Sequence, residues 1–364
     1  MARVDRFERL RNRRTPMERA AKTLSESFSA AESSSEQELS YLIDSMQPID
    51  EEFTRNTFAE ADRVKEQLKN NLGSQYSAEF DYQGSVTNDT HIRIYSDIDL
   101  LTLDGRIVSL DAGAPNPYPY TRSVTDDLTA FRNDSARILR DKFPAATVDA
   151  SPGKAISMKG GSLQRKIDVV VGNWWDTELY KQYRVKMARG VQIIDTKGPW
   201  LIRNKPFWHN YEIDKKDKAT LGLRKVIRLL KTLKYDADPE LSISSYDIAA
   251  IAWNMAESAL TVKADAYVTL ATNARDELKR FIDNNSVRDS LSVPNATRPV
   301  FTTGGATVEE LRQLHRELSE LIARASAEQL VSFTSYGSLG RRTASRRMPL
   351  WEERRPEVVA KNSY

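Results

Sequence analysis

Residues 84–103 read GSVTNDTHIRIYSDIDLLTL and carry the most informative pattern in the 364-residue chain. Asp97 and Asp99 stand two positions apart in an extended run, so on a β-strand both carboxylates face one side and Ile98 faces the core on the other. Two carboxylates held on one face repel each other unless a cation lies between them. A hard divalent ion such as Mg²⁺ prefers oxygen ligands of this kind, and the pair therefore indicates a metal site.

A third carboxylate occurs in a second strand-like run, RKIDVVV at residues 165–171. Asp168 precedes three valines, and burying its charge in such an apolar strand is costly without a partner. If the two strands are neighbours, Asp97, Asp99 and Asp168 complete a site for two metal ions. Such a pair of ions stabilises the attacking and the leaving oxygens of an in-line phosphoryl displacement. Asp97 and Asp99 would bridge the ions, and Asp168 would hold the ion beside the attacking hydroxyl.

Gly84 and Ser85 follow a predicted strand at 77–83 and begin a tight turn or a helix. Glycine lets the backbone approach a phosphate, and serine binds it through its hydroxyl and N–H groups. Taken singly, each feature has a simpler interpretation. A D-x-D pair on a strand is most often a solvated edge, Gly-Ser is a turn, and an aspartate at a strand start is a cap. The combination in this order favours the catalytic interpretation.

Composition excludes several other kinds of site and protein. The chain has no cysteine, which rules out disulfides, zinc–cysteine sites and cysteine nucleophiles. Its histidines, His91, His209 and His315, are far apart, which argues against a histidine-rich metal site. A formal net charge of +3 does not indicate a nucleic-acid coat protein, but it suits a groove for triphosphates. No run approaches the roughly 20 apolar residues of a membrane span, and the basic N-terminus lacks the apolar core of a secretory signal, so we expect a cytoplasmic protein.

The remaining pattern predicts four regions. They are a polar, loosely packed helical arm (1–47), a catalytic core with a long helix at 50–72 (48–205), a helical lobe (206–330) and a basic, flexible tail (331–364). Asp50 can cap the long helix, whose apolar residues recur at three- and four-residue spacing. Further helices are predicted at 126–143, 221–235, 245–260, 266–284 and 308–327, further strands at 146–150 and 155–159, and mostly helix after residue 177.

Gly84-Ser85, Asp97-Ile98-Asp99 and Asp168, in this order, resemble the catalytic motif of the polymerase-beta-like nucleotidyltransferases. The second half of the chain, with PFWHN at 206–210, LRKVIRLLKTLK at 223–234 and then Ser245-Tyr246, resembles the bacterial cyclic-oligonucleotide synthases, or CD-NTases. These are relatives of cyclic GMP–AMP synthase and oligoadenylate synthase that signal in antiphage defence. The resemblance implies an α+β fold in which a mixed β-sheet with helices packs on a helical C-terminal lobe. The active site would lie in the cleft, with the helix at 50–72 spanning the back of both lobes.

The resemblance also implies roles for individual residues. Gly84 and Ser85 would contact the donor triphosphate, as would Lys231 on the polar face of the helix at 221–235. Ser245 and Tyr246 would line the donor pocket. Two Mg²⁺ or Mn²⁺ ions would be the cofactors, and nucleoside triphosphates, ATP among them, would be the substrates.

Each of these second-half residues has a structural alternative. Lys231 would then belong to a solvated basic face, and Ser245 would be the N-cap of the following helix. His209 is interpreted as a structural residue beside Trp208 rather than as a catalyst.

The implied reaction joins nucleoside triphosphates into a cyclic di- or trinucleotide second messenger and releases pyrophosphate. A downstream effector would sense the product and would not bind the enzyme. The enzyme would be a monomer that binds no membrane and does not require DNA. A regulatory protein is a possible partner. The second hypothesis is a nucleotidyltransferase acting on RNA 3′ ends, a small molecule or a protein, and the near-neutral charge argues against RNA tailing. The third is a nucleotide-binding scaffold with an inactive site, against which the intact triad argues.

Overall fold

The structure, a computed structural model, describes residues 10, 37–92, 97–115 and 119–337, with side chains as far as residue 327. Most of the predicted arm and tail lies outside the described residues. The strands are β1 Ala78–Gln83, β2 Ile98–Leu110, β3 Thr147–Asp149, β4 Ile156–Gly160, β5 Leu163–Asp176, β6 Gly190–Asp195 and β7 Trp200–Asn204. The helices are α1 Gln37–Met46, α2 Glu51–Asn71, α3 Val124–Lys142, α4 Glu178–Tyr183, α5 Pro206–Thr220, α6 Leu223–Asp236, α7 Ser245–Trp253, α8 Glu257–Leu260, α9 Tyr267–Asp283, α10 Asn285–Asp289 and α11 Val308–Gly337.

The strands form one seven-stranded mixed sheet. Its order is β1-β2-β5-β4-β3, while β6 pairs with the C-terminal half of β5 and with β7. The central pair, β2 and β5, is parallel, and the other pairs are antiparallel. A parallel pair needs a crossover connection, and α3 lies within that connection. The predicted α+β architecture is therefore confirmed.

The alternation of side chains along β2 and β5 gives the sheet two different faces. On one face, Ile98, Leu100, Ile167 and Val169 pack in a core with residues of α2 and α3. On the other face, Leu101, Leu103 and Val170 pack with Phe207 of α5. Asp99 and Asp168 follow the alternation of this second set. Both aspartates are therefore directed away from α2 and α3 and toward the helical lobe.

Helix α2 is the long helix predicted at 50–72. Asp50 caps it by accepting a hydrogen bond from the Phe53 N–H group at 2.7 Å. The fully buried residues of α2 belong to the core of the sheet, not to that of the helical lobe. This packing does not show whether the helix also reaches the helical lobe, so the expectation that it spans both lobes stays a prediction. Helix α1 packs on the helical lobe, where the Tyr41 hydroxyl donates to Asp236 Oδ2 at 2.9 Å.

The helical lobe is built around α6, whose apolar residues are fully buried among α1, α7, α9 and α11. The helix predicted at 245–260 is two helices, α7 and α8. The side-chain amide of Asn254 donates to the carbonyls of Ala250 and Ser292 at 2.8 and 2.7 Å, and such bonds compete with continuation of the helix. None of the described helices is both long and apolar enough to cross a membrane.

The prediction of mostly helix after residue 177 is confirmed by α4 to α11, but it missed β6 and β7, which extend the sheet there. Every residue of β6 is buried, so the strand lacks the alternating pattern that marks a half-buried strand. Helix α5 was also missed, because its buried positions do not form an apolar stripe. Helix α11 continues to Gly337, beyond the predicted end at residue 327.

Candidate active site

A cavity of about 310 Å³ lies between the sheet and the helical lobe. All of the predicted site residues are in its wall, namely Gly84, Ser85, Asp97, Asp99, Asp168, Lys231, Ser245 and Tyr246. The wall also contains residues that the sequence did not indicate, among them Gln83, Asn88, Asn204, His209, Asn210 and Tyr235. A larger surface cavity of about 580 Å³, between α2 and residues 142–146, contains none of the predicted residues. The chemistry therefore points to the smaller cavity.

The carboxylates meet at the centre of the sheet. Asp99 and Asp168 are register partners in the parallel pair of β2 and β5. Asp97 lies just before β2 rather than on it, which corrects the predicted strand position. Lys166 Nζ donates to Asp97 Oδ2 at 2.5 Å and to Asp168 Oδ2 at 2.8 Å. The triad predicted from sequence is thus assembled around a lysine that the prediction did not include.

Burial and the nearby negative charges disfavour ionisation of Asp97 and Asp99. The pKa of Asp99 is raised to about 7, chiefly by burial and further by the negative charges of Asp168 and Asp97. Burial also raises the pKa of Asp97, against the opposing effect of Lys166. Asp168 Oδ1 is buried and has no hydrogen-bond partner among the described residues. A buried oxygen of this kind is rare without a bound ion or water.

The donor set fits a hard divalent cation. Within the described residues, no group of three or more His, Cys, Asp or Glu side chains could hold a metal ion as it stands. The Lys166 ammonium bonds both Asp97 and Asp168. The three carboxylates, with one unpartnered buried oxygen among them, are the ligand type that Mg²⁺ and Mn²⁺ prefer.

The Gly84 turn passes directly beside the triad. Gly84 has φ +87°, and a Cβ added there would lie 2.2 Å from Asp99 Oδ2. The backbone conformation therefore favours glycine, and a side chain at this position would displace the Asp99 carboxylate. Ser85 begins a turn rather than a helix, and the Thr90 N–H group donates to its carbonyl at 3.0 Å. The turn thus brings Ser85 to the cavity next to the carboxylates.

Three cations of α6 hold the far end of this turn. Arg224 Nε, Arg228 Nη1 and Lys231 Nζ donate to the successive carbonyls of residues 88–90 at 2.8, 2.6 and 2.7 Å. The spacings of four and three residues place the cations on one face of the helix. We call Arg224, Arg228 and Lys231 the cationic ladder. It joins the helical lobe to the catalytic core beside the cavity.

Lys231 is buried, with 3% of its surface exposed. The alternative of a solvated basic face is therefore wrong. Burial lowers the pKa of Lys231 to about 7, and the neighbouring Lys234 and Arg228 lower it further while Asp99 opposes them. An anion such as a phosphate at the cavity would favour its charged form.

Ser245 is not the N-cap of α7. That position belongs to Ser244, whose hydroxyl accepts a hydrogen bond from the Asp247 N–H group at 2.9 Å. The Ser245 hydroxyl lies 3.4 Å from the Tyr235 hydroxyl, and both residues are in the wall of the cavity. The structural alternative for Ser245 is therefore wrong, and its side chain has no capping role.

His209 lies in the wall of the cavity, whereas the sequence interpretation gave it a structural role. Its ring stacks on Tyr246 with centroids 5.0 Å apart, and it is 8% exposed. Burial lowers the pKa of His209 to about 4, so its imidazole is neutral at neutral pH. Within the part of the chain that the structure describes, His209 Nδ1 and Gln83 Oε1 are buried without hydrogen-bond partners, like Asp168 Oδ1. The PFWHN motif includes His209. However, α5 has no apolar stripe from which the direction of the His209 side chain could be predicted.

Comparisons with known proteins extend over both lobes. No protein-family model matches the chain. The chain is 36% identical over 299 residues to the cyclic dinucleotide synthase CdnE of Yersinia aleksiciae, an alignment that covers 81% of this chain and 77% of that protein. It resembles the solved structure of a STING-associated CdnE c-di-GMP synthase from Capnocytophaga granulosa with a TM-score of 0.70 and 27% identity, covering 88% of this chain and 98% of that one. A STING-associated CdnE c-di-GMP synthase from Flavobacteriaceae sp. aligns with a TM-score of 0.67 and 26% identity, covering 79% and 87% of the two chains.

Proposed function

Because the chain belongs to the bacterial cyclic-oligonucleotide synthases, the CD-NTases, we propose that it joins nucleoside triphosphates into a cyclic dinucleotide. Each of two successive reactions forms one phosphodiester bond and releases one pyrophosphate. The observation that carries the proposal is the single cavity lined by the three aspartates, the Gly84-Ser85 turn and Lys231. A nucleotide-binding scaffold has no need of three mutually repelling carboxylates.

The aspartates would form the reaction centre. Asp97, Asp99 and Asp168 would hold two Mg²⁺ or Mn²⁺ ions, which supply charge stabilisation to the attacking and leaving oxygens when bound. Asp168 Oδ1 has no partner in the structure and would accept the proton of the attacking ribose hydroxyl. The Gly84 backbone allows the donor triphosphate to approach Asp99 closely. Ser85 would bind the triphosphate through its hydroxyl and N–H groups.

Lys231 would act from the helical lobe. Its ammonium is held beside the turn by the Thr90 carbonyl at 2.7 Å, within the wall of the same cavity. A compact lysine charge at this position suits a phosphate group. The cationic ladder would keep the Ser85 turn and Lys231 in register, so that both contact one triphosphate.

The nucleobase would bind on the side of the cavity formed by α5 and α7. The stacked pair of Tyr246 and His209 offers an aromatic surface there, and base–aromatic stacking tolerates every base. The amide of Asn204 offers a polar group to a base edge. Two similar structures are c-di-GMP synthases, so GTP is a candidate substrate beside ATP.

The product would act as a second messenger. The two structures with TM-scores of 0.67 and 0.70 are STING-associated enzymes, which supports a signalling role in which a separate effector detects the nucleotide. We extend the proposal to antiphage defence on the strength of the family alone.

Incubation of the purified chain with labelled ATP, GTP, CTP and UTP, singly and together, with Mg²⁺ or Mn²⁺, tests the reaction. Products are treated with phosphatase and identified by chromatography and mass spectrometry. A phosphatase-resistant product without free ends is expected, and it should be absent with the Asp97→Asn/Asp99→Asn variant, whose folding is checked by circular dichroism. Linear products alone would favour transfer to an RNA or other acceptor. Nucleotide binding without turnover would favour a scaffold.

A further inference from the structure

Lys166 has no part in the function proposed above, yet it contacts the reaction centre directly. It stands two residues before Asp168 on β5 and therefore projects from the same face of the sheet. Its Nζ bonds Asp97 Oδ2 at 2.5 Å and Asp168 Oδ2 at 2.8 Å. An ammonium thus bonds two of the three carboxylates that would hold a divalent ion.

We propose that Lys166 is a resident counter-ion of the triad, which positions the carboxylates in the metal-free protein and competes with free divalent ions. The site then fills when the ion arrives together with a nucleoside triphosphate, toward which the displaced ammonium turns. Lys166 is therefore a positioning residue that couples metal binding to nucleotide binding. This inference rests on the proposed function of the same site.

The positioning role follows from charge. Asp97, Asp99 and Asp168 line one cavity, and without a cation among them their negative charges repel each other. The two bonds of Lys166 link Asp97, which lies outside the strand, to Asp168 at the sheet centre. Removal of the ammonium should therefore loosen the metal-free triad, while removing a like charge that opposes an incoming cation.

The ability to leave follows from exposure. The side chain of Lys166 is 37% exposed, so its ammonium can turn to solvent or to a phosphate without being buried alone. Lys231, the cation on the opposite wall of the cavity, is 3% exposed and bonded to the Thr90 carbonyl. Lys231 is therefore fixed in the cavity wall, whereas Lys166 is held by carboxylates that would bind the ion.

The test compares the full chain with its Lys166→Met and Lys166→Arg variants. Lys159→Met, which removes an exposed lysine from the neighbouring strand β4, is the matched control. Mn²⁺ binding is measured by electron paramagnetic resonance, with and without a non-hydrolysable GTP or ATP analogue. Thermal unfolding is followed in chelator and again with Mn²⁺.

Lys166→Met should bind free Mn²⁺ on the order of tenfold more tightly than the wild type, the effect of removing one like charge at contact distance. The nucleotide analogue should then increase its Mn²⁺ affinity by a smaller factor than in the wild type. Its melting temperature in chelator should fall, and Mn²⁺ should restore it. Lys166→Arg and Lys159→Met should behave like the wild type.

Equal affinities of the wild type and Lys166→Met for free Mn²⁺ would overturn the proposal. If that equality came with weaker binding of the nucleotide analogue, Lys166 would be a triphosphate ligand instead. These measurements need no turnover, so they decide the role of Lys166 separately from the synthase activity. Absence of cyclic product would refute the proposed function, and the Mn²⁺ affinities would still stand.

Discussion

Replacing Arg228 by methionine should loosen the attachment of the turn at 88–90 to the helical lobe, which Arg224 and Lys231 then hold without it. The guanidinium of Arg228 is buried and joins three segments of the chain. Its Nε donates to the Met46 carbonyl at 2.9 Å, at the end of α1, and its Nη1 donates to the Asp89 carbonyl at 2.6 Å. Methionine retains an aliphatic stem but removes both donors.

The expected loss is about 3 kcal/mol of unfolding free energy. Two hydrogen bonds from a charged donor contribute roughly 1.5–3 kcal/mol each. Burial lowers the pKa of Arg228, so the substitution also removes a desolvation cost that offsets part of this contribution. The ion pair with Asp89 Oδ2, at 3.3 Å, adds little because the aspartate side chain is 50% exposed.

Urea unfolding in chelator measures this loss, and steady-state kinetics with the identified substrate measure its effect on the site. A loosened turn should raise KM, because Ser85 and Lys231 no longer face the triphosphate together. Lys225→Met is the matched control, since Lys225 Nζ bonds the Ala264 carbonyl at 3.3 Å within the helical lobe, and it should lose less than about 1 kcal/mol. Equal stabilities of Arg228→Met and Lys225→Met would refute the role assigned to the cationic ladder.

Three further substitutions test other parts of the site. Gly84→Ala should abolish turnover, because its Cβ would meet Asp99 Oδ2, whereas Gly113→Ala carries similar strain at φ +80° with no atom within 4 Å and should keep its activity. Tyr246→Leu should weaken nucleotide binding by about 1–3 kcal/mol in calorimetry through lost stacking, and Tyr246→Phe should not. Burial lowers the pKa of His209 from 6.5 to about 4, so between these pH values the unfolded chain binds a proton that the folded chain does not. Stability should therefore fall on acidification by up to about 3 kcal/mol. In urea unfolding measured at several pH values, His209→Phe should reduce the dependence of the unfolding free energy on pH. The dependence due to His91, whose pKa is also lowered to about 4, should remain. An unchanged pH dependence would contradict the buried, neutral state assigned to His209.

Sequence alone predicts the triad, because its signals are local. Two aspartates at i and i+2 share a face on any extended strand, and an aspartate before three valines is costly to bury unpartnered. The Asp50 cap and the periodicity of α2 are equally local signals, and the structure confirms both. The order of Gly84-Ser85, the two aspartates and Asp168 along the chain resembles a nucleotidyltransferase motif, and this order is visible in the sequence itself.

Tertiary structure decides which side chains meet, because this depends on register and burial between distant segments. The pairing of β2 with β5 sets Asp99 opposite Asp168 and brings Lys166 between Asp168 and Asp97. The docking of α6 on the turn at 88–90 buries Lys231. From the sequence alone, the basic face of this helix could equally well be exposed to solvent. The uniform burial of β6 and the absence of an apolar stripe in α5 left both elements unpredicted and hid His209. Short-range periodicity therefore identifies the residues with the chemistry, and long-range packing determines their partners and charge states.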